Sequence, residues 1–192
     1  MSTLPEPPSH LLTIAEYAAL GEVETGYTEL VEGRLLMSPS PAPRHNRASG
    51  RLFTQLDQQL PEDLDIVQDV DLDLELVAPN QPGFSRRPDL VIVRKDALDR
   101  VDREGGLLRA SETVVVMEIV SPGSRRTDYH VKRSEYADAN IPHYWIVDLA
   151  DPVTLTACHR TEEFGYLDSG TFTGAFTTTE PFAVRLDLDR LR

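Results

Sequence analysis

Two acidic residues stand where the sequence otherwise supplies apolar side chains. Asp89 opens the run Leu90-Val91-Ile92-Val93, and Glu118 lies near the end of Thr113 to Val120, a run dominated by Val, Met and Ile. Burying a carboxylate among such neighbours is costly unless it is paired or bound to a metal. Lys132 follows on a helical stretch, one turn after Asp128. Two carboxylates and a lysine at one sheet edge make a minimal magnesium site for phosphodiester hydrolysis. The carboxylates hold a hard cation through oxygen, the cation polarises the phosphate and activates water, and the lysine positions that water or stabilises charge. Plainer readings stay open on spacing alone. Asp89 after Pro88 can form an Asx turn. Glu118 can pair with Arg125 or Arg126, and Lys132 can bridge to Asp128 on a wet helix face.

Those residues need a scaffold, and the patterning supplies one. Thr13-Ile14-Ala15-Glu16 reads as a capping box, followed by a short helix through Leu20. Tyr27 to Met37 reads as two short strands around Gly33. Ala48, Leu52, Leu56 and Leu60 recur every four residues, so His45 to Leu60 is predicted as an amphipathic helix. Val67 to Val77 alternates strictly, with Asp69, Asp71, Asp73 and Glu75 between Val70, Leu72, Leu74 and Leu76. That pattern predicts one antiparallel strand whose acids face solvent, away from any site.

The strand Leu90 to Val93, the strand Thr113 to Val120, a helix from Arg125 to Ala139 and the strand Tyr144 to Val147 follow. The last three predict a βαβ unit with parallel neighbouring strands. Val153 to Arg185 reads as hairpin material with turns near Gly165 and Gly170. Tyr144 and Trp145 are most simply core aromatics.

The chain has 192 residues with 19 Lys+Arg against 32 Asp+Glu, a formal net charge of −13. Its length suits a single domain, expected over residues 11–192 after a flexible leader at 1–10. Met1 to Ser9 is polar and Pro-rich, and no apolar run is long enough to span a bilayer, so a cytoplasmic protein with no membrane association is expected. One cysteine, Cys158, excludes an internal disulfide and a multi-cysteine zinc site. An acidic chain is a poor loose binder of nucleic acid. Locally, however, Arg44, Arg47, Arg51, Arg86, Arg87, Arg125, Arg126, Lys132 and Arg133 cluster in sequence around the candidate site, which predicts a basic cleft on an acidic body.

Taken in order, several of these segments carry a resemblance. Pro88-Asp89, Glu118-Ile119-Val120-Ser121-Pro122, Asp128 to Lys132 with Tyr136, and Ile141-Pro142-His143-Tyr144-Trp145-Ile146-Val147-Asp148 are similar to the Uma-type family of restriction endonucleases. That family lies within the PD-(D/E)XK nuclease superfamily. The likeness continues upstream in Tyr27 to Gly33, in Ser38-Pro39-Ser40-Pro41 and in His45, and runs from residue 11 to residue 190.

The resemblance implies an α/β, restriction-endonuclease-like fold: a mixed β-sheet core flanked by helices, with extra β-hairpins. It implies an endonuclease that hydrolyses phosphodiester bonds of nucleic acid, DNA in particular, with Mg2+ or Mn2+. Asp89 and Glu118 are then the metal ligands, with the backbone carbonyl of Val120 as a further donor. Glu29 and His45 lie close by, Glu29 being favoured over Glu32, which precedes Gly33 in a turn. One departure is plain: the superfamily's lysine belongs two residues after Glu118, and Val120 stands there. Lys132 is the matching substitute. The alternative is a catalytically inactive module of this fold that binds nucleic acid or protein. A homodimer is expected, since two sites are needed to cut two strands.

Overall fold

The computed structural model describes residues 10–21, 27–38 and 40–192. The expected leader, apart from His10, and Pro39 of the Ser38 to Pro41 segment lie outside the described residues. The chain begins with α1 (Ile14–Leu20), the hairpin β1 (Tyr27–Val31) and β2 (Arg34–Ser38), then α2 (Pro43–Asp57). Next come β3 (Leu64–Gln68), β4 (Leu72–Asp73), β5 (Ser85–Arg86), β6 (Leu90–Arg94), α3 (Lys95–Glu104), β7 (Leu108–Arg109) and β8 (Thr113–Val120). A π-helical segment, Thr127–Lys132, runs directly into α4 (Arg133–Asp138). The chain ends with β9 (His143–Asp148), β10 (Thr154–Thr161), β11 (Gly165–Thr173), β12 (Ala175–Thr178) and β13 (Val184–Asp187).

A six-stranded sheet in the order β11-β10-β9-β8-β6-β3 is the spine. β8 and β9 are parallel neighbours joined through the π segment and α4, as the βαβ pattern predicts, and the other pairs are antiparallel. Because side chains alternate along a strand, the central strands feed two cores. Val115, Met117, Ile119, Trp145 and Val147 pack with Ala48, Leu52 and Leu56 of α2 and with the β12–β13 ribbon. Val91, Val93, Val116, Val120, Tyr144 and Ile146 face the other way and meet Tyr136 and Ala137 of α4. Glu118 shares that second face with Val116 and Val120, so the alternation that builds the core also aims a carboxylate at the helix.

A five-stranded sheet, β2-β1-β5-β4-β7, lies alongside. Its anchor is a ring of backbone bonds: Leu12 N donates to Gly33 O at 2.8 Å, Gly33 N to Gly83 O at 2.9 Å, and Gly83 N to Leu12 O at 2.9 Å. The β1–β2 turn needs two left-handed residues, Glu32 at φ 50° and Gly33 at φ 74°. The capping box of α1 forms as read, with Glu16 N donating to Thr13 Oγ1 and Thr13 N donating to Glu16 Oε2.

Three sequence expectations are corrected. Val67 to Val77 is not one strand. It breaks after β3, where Asp69 takes φ 49°, and again after β4, where Glu75 takes φ 52°. Its acids do not form a solvated face either: Asp71 accepts a hydrogen bond from Tyr17 Oη at 3.1 Å, and Asp73 accepts one from Glu75 N at 2.9 Å. Aspartates that bond to nearby backbone and visit the left-handed region cost an extended strand little to break. The helix from Arg125 to Ala139 contains a π segment, which raw periodicity does not reveal. Finally, Gly170 does not turn the chain. It lies within β11 at φ 147°, opposite Ala157, where the β10–β11 register slips. Among the described residues no helix is long and apolar enough to cross a membrane.

A Cβ on Gly33 would sit 2.8 Å from Leu11 Cβ and 2.9 Å from the Leu12 backbone, in a left-handed conformation. In α2, a Cβ on Gly50 would meet nothing within 4 Å. Gly33→Ala should therefore lose about 2 kcal/mol or more in urea unfolding, while Gly50→Ala should gain about 0.5–1 kcal/mol from helix propensity. Equal effects of the two substitutions would show that the Gly33 ring does not hold the second sheet.

Candidate active site

Asp89 stands one residue before β6. The antiparallel register sets Leu90 against Met117, which brings Asp89 to the end of β8. There Ile119 N donates to Asp89 Oδ2 at 2.6 Å. His45, in the first turn of α2, places Nε2 at 3.0 Å from Ile119 O and 3.2 Å from the same Asp89 oxygen. A ring nitrogen facing two oxygens must carry the proton. Burial pulls the imidazole down, but the hydrogen bond and charge of Asp89 outweigh it and His45 is pushed up. Its other nitrogen, Nδ1, is buried without a partner.

On the helical side, Asp128, Lys132 and Tyr136 follow one another at four-residue steps, and all three are buried. The wide π turn carries Asp128 and Lys132 and feeds Tyr136 into α4; such turns are frequent at functional sites. Lys132 Nζ lies 2.8 Å from Glu118 Oε1 and 3.1 Å from Glu29 Oε1. Tyr136 Oη donates to the same Glu118 oxygen at 2.7 Å. Glu29 reaches the site from β1; the Arg87 amide donates to the same Oε1 at 3.2 Å, and Arg86 Nη1 fixes the other oxygen, Oε2, at 2.7 Å. The Arg86 fork closes on Glu135 through Nε at 2.6 Å and Nη2 at 2.7 Å, tying β5 to α4. Tyr144 Oη donates to the Asp128 carbonyl at 2.9 Å, and Asp128 Oδ2 is buried with no partner.

These contacts set the charge states. Burial, with Asp89 and Asp128 nearby, pushes the Glu118 carboxyl up to about 8 against the pull of Lys132. Burial also raises Asp128. Glu29 goes the other way: Lys132 and Arg86 outweigh its burial and hold it ionised. Lys132 is desolvated, yet Glu118, Glu29 and Asp128 hold its ammonium well above the usual lysine range. It is a fixed cation here, able to stabilise charge and orient a water but not to accept a proton.

The structure thus brings Asp89, Glu118, Lys132, Glu29 and His45 together. Glu32 sits in the β1–β2 turn instead. Lys132 does not settle on Asp128 alone, and Glu118 pairs with neither Arg125 nor Arg126. The carbonyl beside Asp89 belongs to Ile119; carbonyls alternate in direction along a strand, so that of Val120 turns toward β9, where Val120 lies in register with Asp148.

The basic cleft is smaller than the sequence implies. Arg86 is buried in ion pairs, Arg87 stacks 4.6 Å from the Tyr27 ring, Arg51 donates to the Arg190 carbonyl and Arg133 pairs with Asp168. Arg44 donates to Leu149 O and Arg125 pairs with Asp148, both just past the site end of the parallel strands. Sequence reasoning also missed Asp69, which is half-buried, donates its amide to Asp89 O at 3.4 Å and is raised by burial and by the Asp89 charge. The alternating row around it concealed this. Asp128 and Arg86 had a signal, since each stands beside a motif residue.

A family model, Uma2, described as "Putative restriction endonuclease", matches residues 14–188. The chain belongs to the Uma2 family. No curated protein matches it. Among solved structures, a protein of Anabaena variabilis ATCC 29413 described as "a putative nuclease belonging to DUF820" is similar, with a TM-score of 0.69. The two are 16% identical, over 94% of this chain and 97% of that one. The Uma2 chain has the restriction-endonuclease-like fold: an α/β arrangement of mixed sheets flanked by helices.

Burial raises the folded Glu118 carboxyl above the 4.5 of the unfolded group. A raised folded value means that this group's stabilisation is complete below the lower value and disappears as pH rises through the upper one. Urea unfolding should show wild-type stability falling more steeply across that window than Glu118→Gln stability. Parallel pH profiles would contradict the assigned protonation of Glu118.

Proposed function

We propose that this Uma2 chain is a divalent-cation-dependent endonuclease that hydrolyses phosphodiester bonds of DNA. The observation that carries this reading is the Lys132 ammonium at 2.8 Å from Glu118 and 3.1 Å from Glu29. A helix thereby delivers the cation that the β8 motif lacks, to the end of β8 where Asp89 arrives from β6.

The residues present fit a magnesium or manganese ion by donor chemistry. Asp89, Glu118 and the Ile119 carbonyl are hard oxygen donors grouped at one strand end, and Asp128 adds a buried carboxylate oxygen that nothing satisfies. Among the described residues no three acidic, histidine or cysteine side chains converge to cage an ion. Magnesium keeps waters and substrate phosphate oxygens in its shell and takes only one or two carboxylates. The ion, when bound, supplies Lewis acidity and an acidified water.

The chain's own residues divide the remaining work. Asp89 and Glu118 would hold the ion. Lys132, kept cationic by two carboxylates, would orient the attacking water and offset the charge that develops on the phosphate. Glu29 and Arg86 fix the lysine from behind, and Tyr136 fixes the Glu118 carboxyl. His45 is a positioning residue that holds Asp89 and the Ile119 carbonyl at one point. Two copies of the chain would present two such sites to the nucleic acid.

Replacing Lys132 by Gln keeps a hydrogen-bond donor and removes the charge. Cleavage of plasmid DNA with Mg2+ or Mn2+ should fall by about a hundredfold or more, the scale of losing a charge-stabilising group. Manganese affinity by titration calorimetry should stay within a few-fold. Asp89→Asn should instead lose manganese binding with its fold intact by circular dichroism. Undiminished cleavage in Lys132→Gln would remove the lysine from the chemistry, and a wild type inert with both ions would leave a binding module.

A further inference from the structure

The helix that carries Lys132 inward has an outer side that the proposed chemistry does not use. Arg125, Arg126, Tyr129, His130 and Arg133 line an open groove of about 810 Å3 between this helix and Asp168 of β11. The groove begins at Pro122 and Gly123, in the turn that leaves the Glu118 strand. It differs from the chain as a whole: three arginines stand with two aspartates, Asp168 paired with Arg133 and Asp148 with Arg125, in a protein with a formal net charge of −13. Arg126 and His130 are exposed and form no ion pair or side-chain hydrogen bond among the described residues. Arg125 is paired with Asp148, but its side chain is 59% exposed. Its guanidinium lies 5.5 Å from the centre of the half-buried Tyr129 ring. Arginines on a groove together with a planar ring are the parts that hold unpaired nucleotides: guanidinium groups take phosphates, and rings and guanidinium planes take base faces.

We propose that this groove is the path of a single nucleic-acid strand, with phosphates on Arg126 and Arg125 and a base against the Tyr129–Arg125 stack. The inference rests on the nucleic-acid reading of the site and deepens it, by naming an unpaired strand as what lies beside the cut. A duplex cannot present a base face to Tyr129 without unstacking, whereas a single strand can. The acidic remainder of the surface repels phosphates, so binding is confined to this groove and to the site it adjoins.

Fluorescence anisotropy in EDTA, which prevents cleavage, tests it with a labelled single-stranded oligonucleotide and with the duplex of the same sequence. The wild type should bind the single strand more tightly than the duplex. Arg126→Glu, an exposed change, should weaken single-strand binding about tenfold and lower the slope of log affinity against log salt by about 0.7, the value for one phosphate contact on a single strand. Tyr129→Leu should weaken the single strand about tenfold with the salt slope unchanged, because stacking releases no counterion. Arg185→Glu, an equal charge change at an exposed position of β13, should leave affinity unchanged. Wild-type affinity in both Arg126→Glu and Tyr129→Leu, with the wild type binding and metal-dependent cleavage intact, would overturn the groove and leave the nuclease reading standing. Equal weakening by Arg185→Glu would also overturn it, since only net charge would then matter. A wild type that binds neither probe and cleaves nothing would overturn both.

Discussion

A buried ammonium between two carboxylates governs this molecule. Lys132 reaches Glu118 and Glu29 through a side chain that is only 10% exposed. Removing one member of such a set strands a charge in the interior, at a cost of about 3–5 kcal/mol. The elements around it are arranged accordingly. β8 must aim Glu118 at the helix, β1 must bring Glu29 across from the second sheet, and the π turn must swing Lys132 inward. Arg86 closes the arrangement by bonding Glu29 and Glu135 at once. The lysine therefore joins the two sheets and the helix into one charge network, and the same network keeps it cationic at neutral pH.

The site remains short of positive charge even so. Glu29, Glu118 and Asp128 surround Lys132, and both Glu118 and Asp128 are raised by burial and by their acidic neighbours, Asp89 among them. A cluster that must retain protons to stay buried gains stability from any cation that replaces them. This excess, together with the unsatisfied Asp128 oxygen, is the physical argument for a divalent ion.

Much of the fold was legible because its signals are local and redundant. The apolar run Thr113 to Val120 is β8 to the residue, and the βαβ crossover follows from run lengths and from the Asn140-Ile141-Pro142 stop. Glu118 was visible for the same reason, as a charge in a run that has no other. What the sequence concealed depends on backbone choices with weak local signatures. Alternation between Val67 and Val77 resembles a strand, but Asp69 and Glu75 adopt left-handed conformations that break it, and Asp69 thereby moves beside Asp89. The π turn leaves no periodic trace. The sequence clustering of basic residues also misled, because proximity in sequence does not reveal which arginines are consumed in ion pairs. Arg86 and Arg133 are spent on structure, while Arg126 is free among the described residues.

Crystals soaked in manganese and measured for anomalous scattering address the central claim most directly, since they locate the ion without relying on turnover. The account predicts an ion held by the Asp89 and Glu118 carboxylates and the Ile119 carbonyl, with Lys132 still between Glu118 and Glu29 and oriented toward an ion-bound water. An ion bound elsewhere, or no ion with the Lys132 network undisturbed, would contradict it.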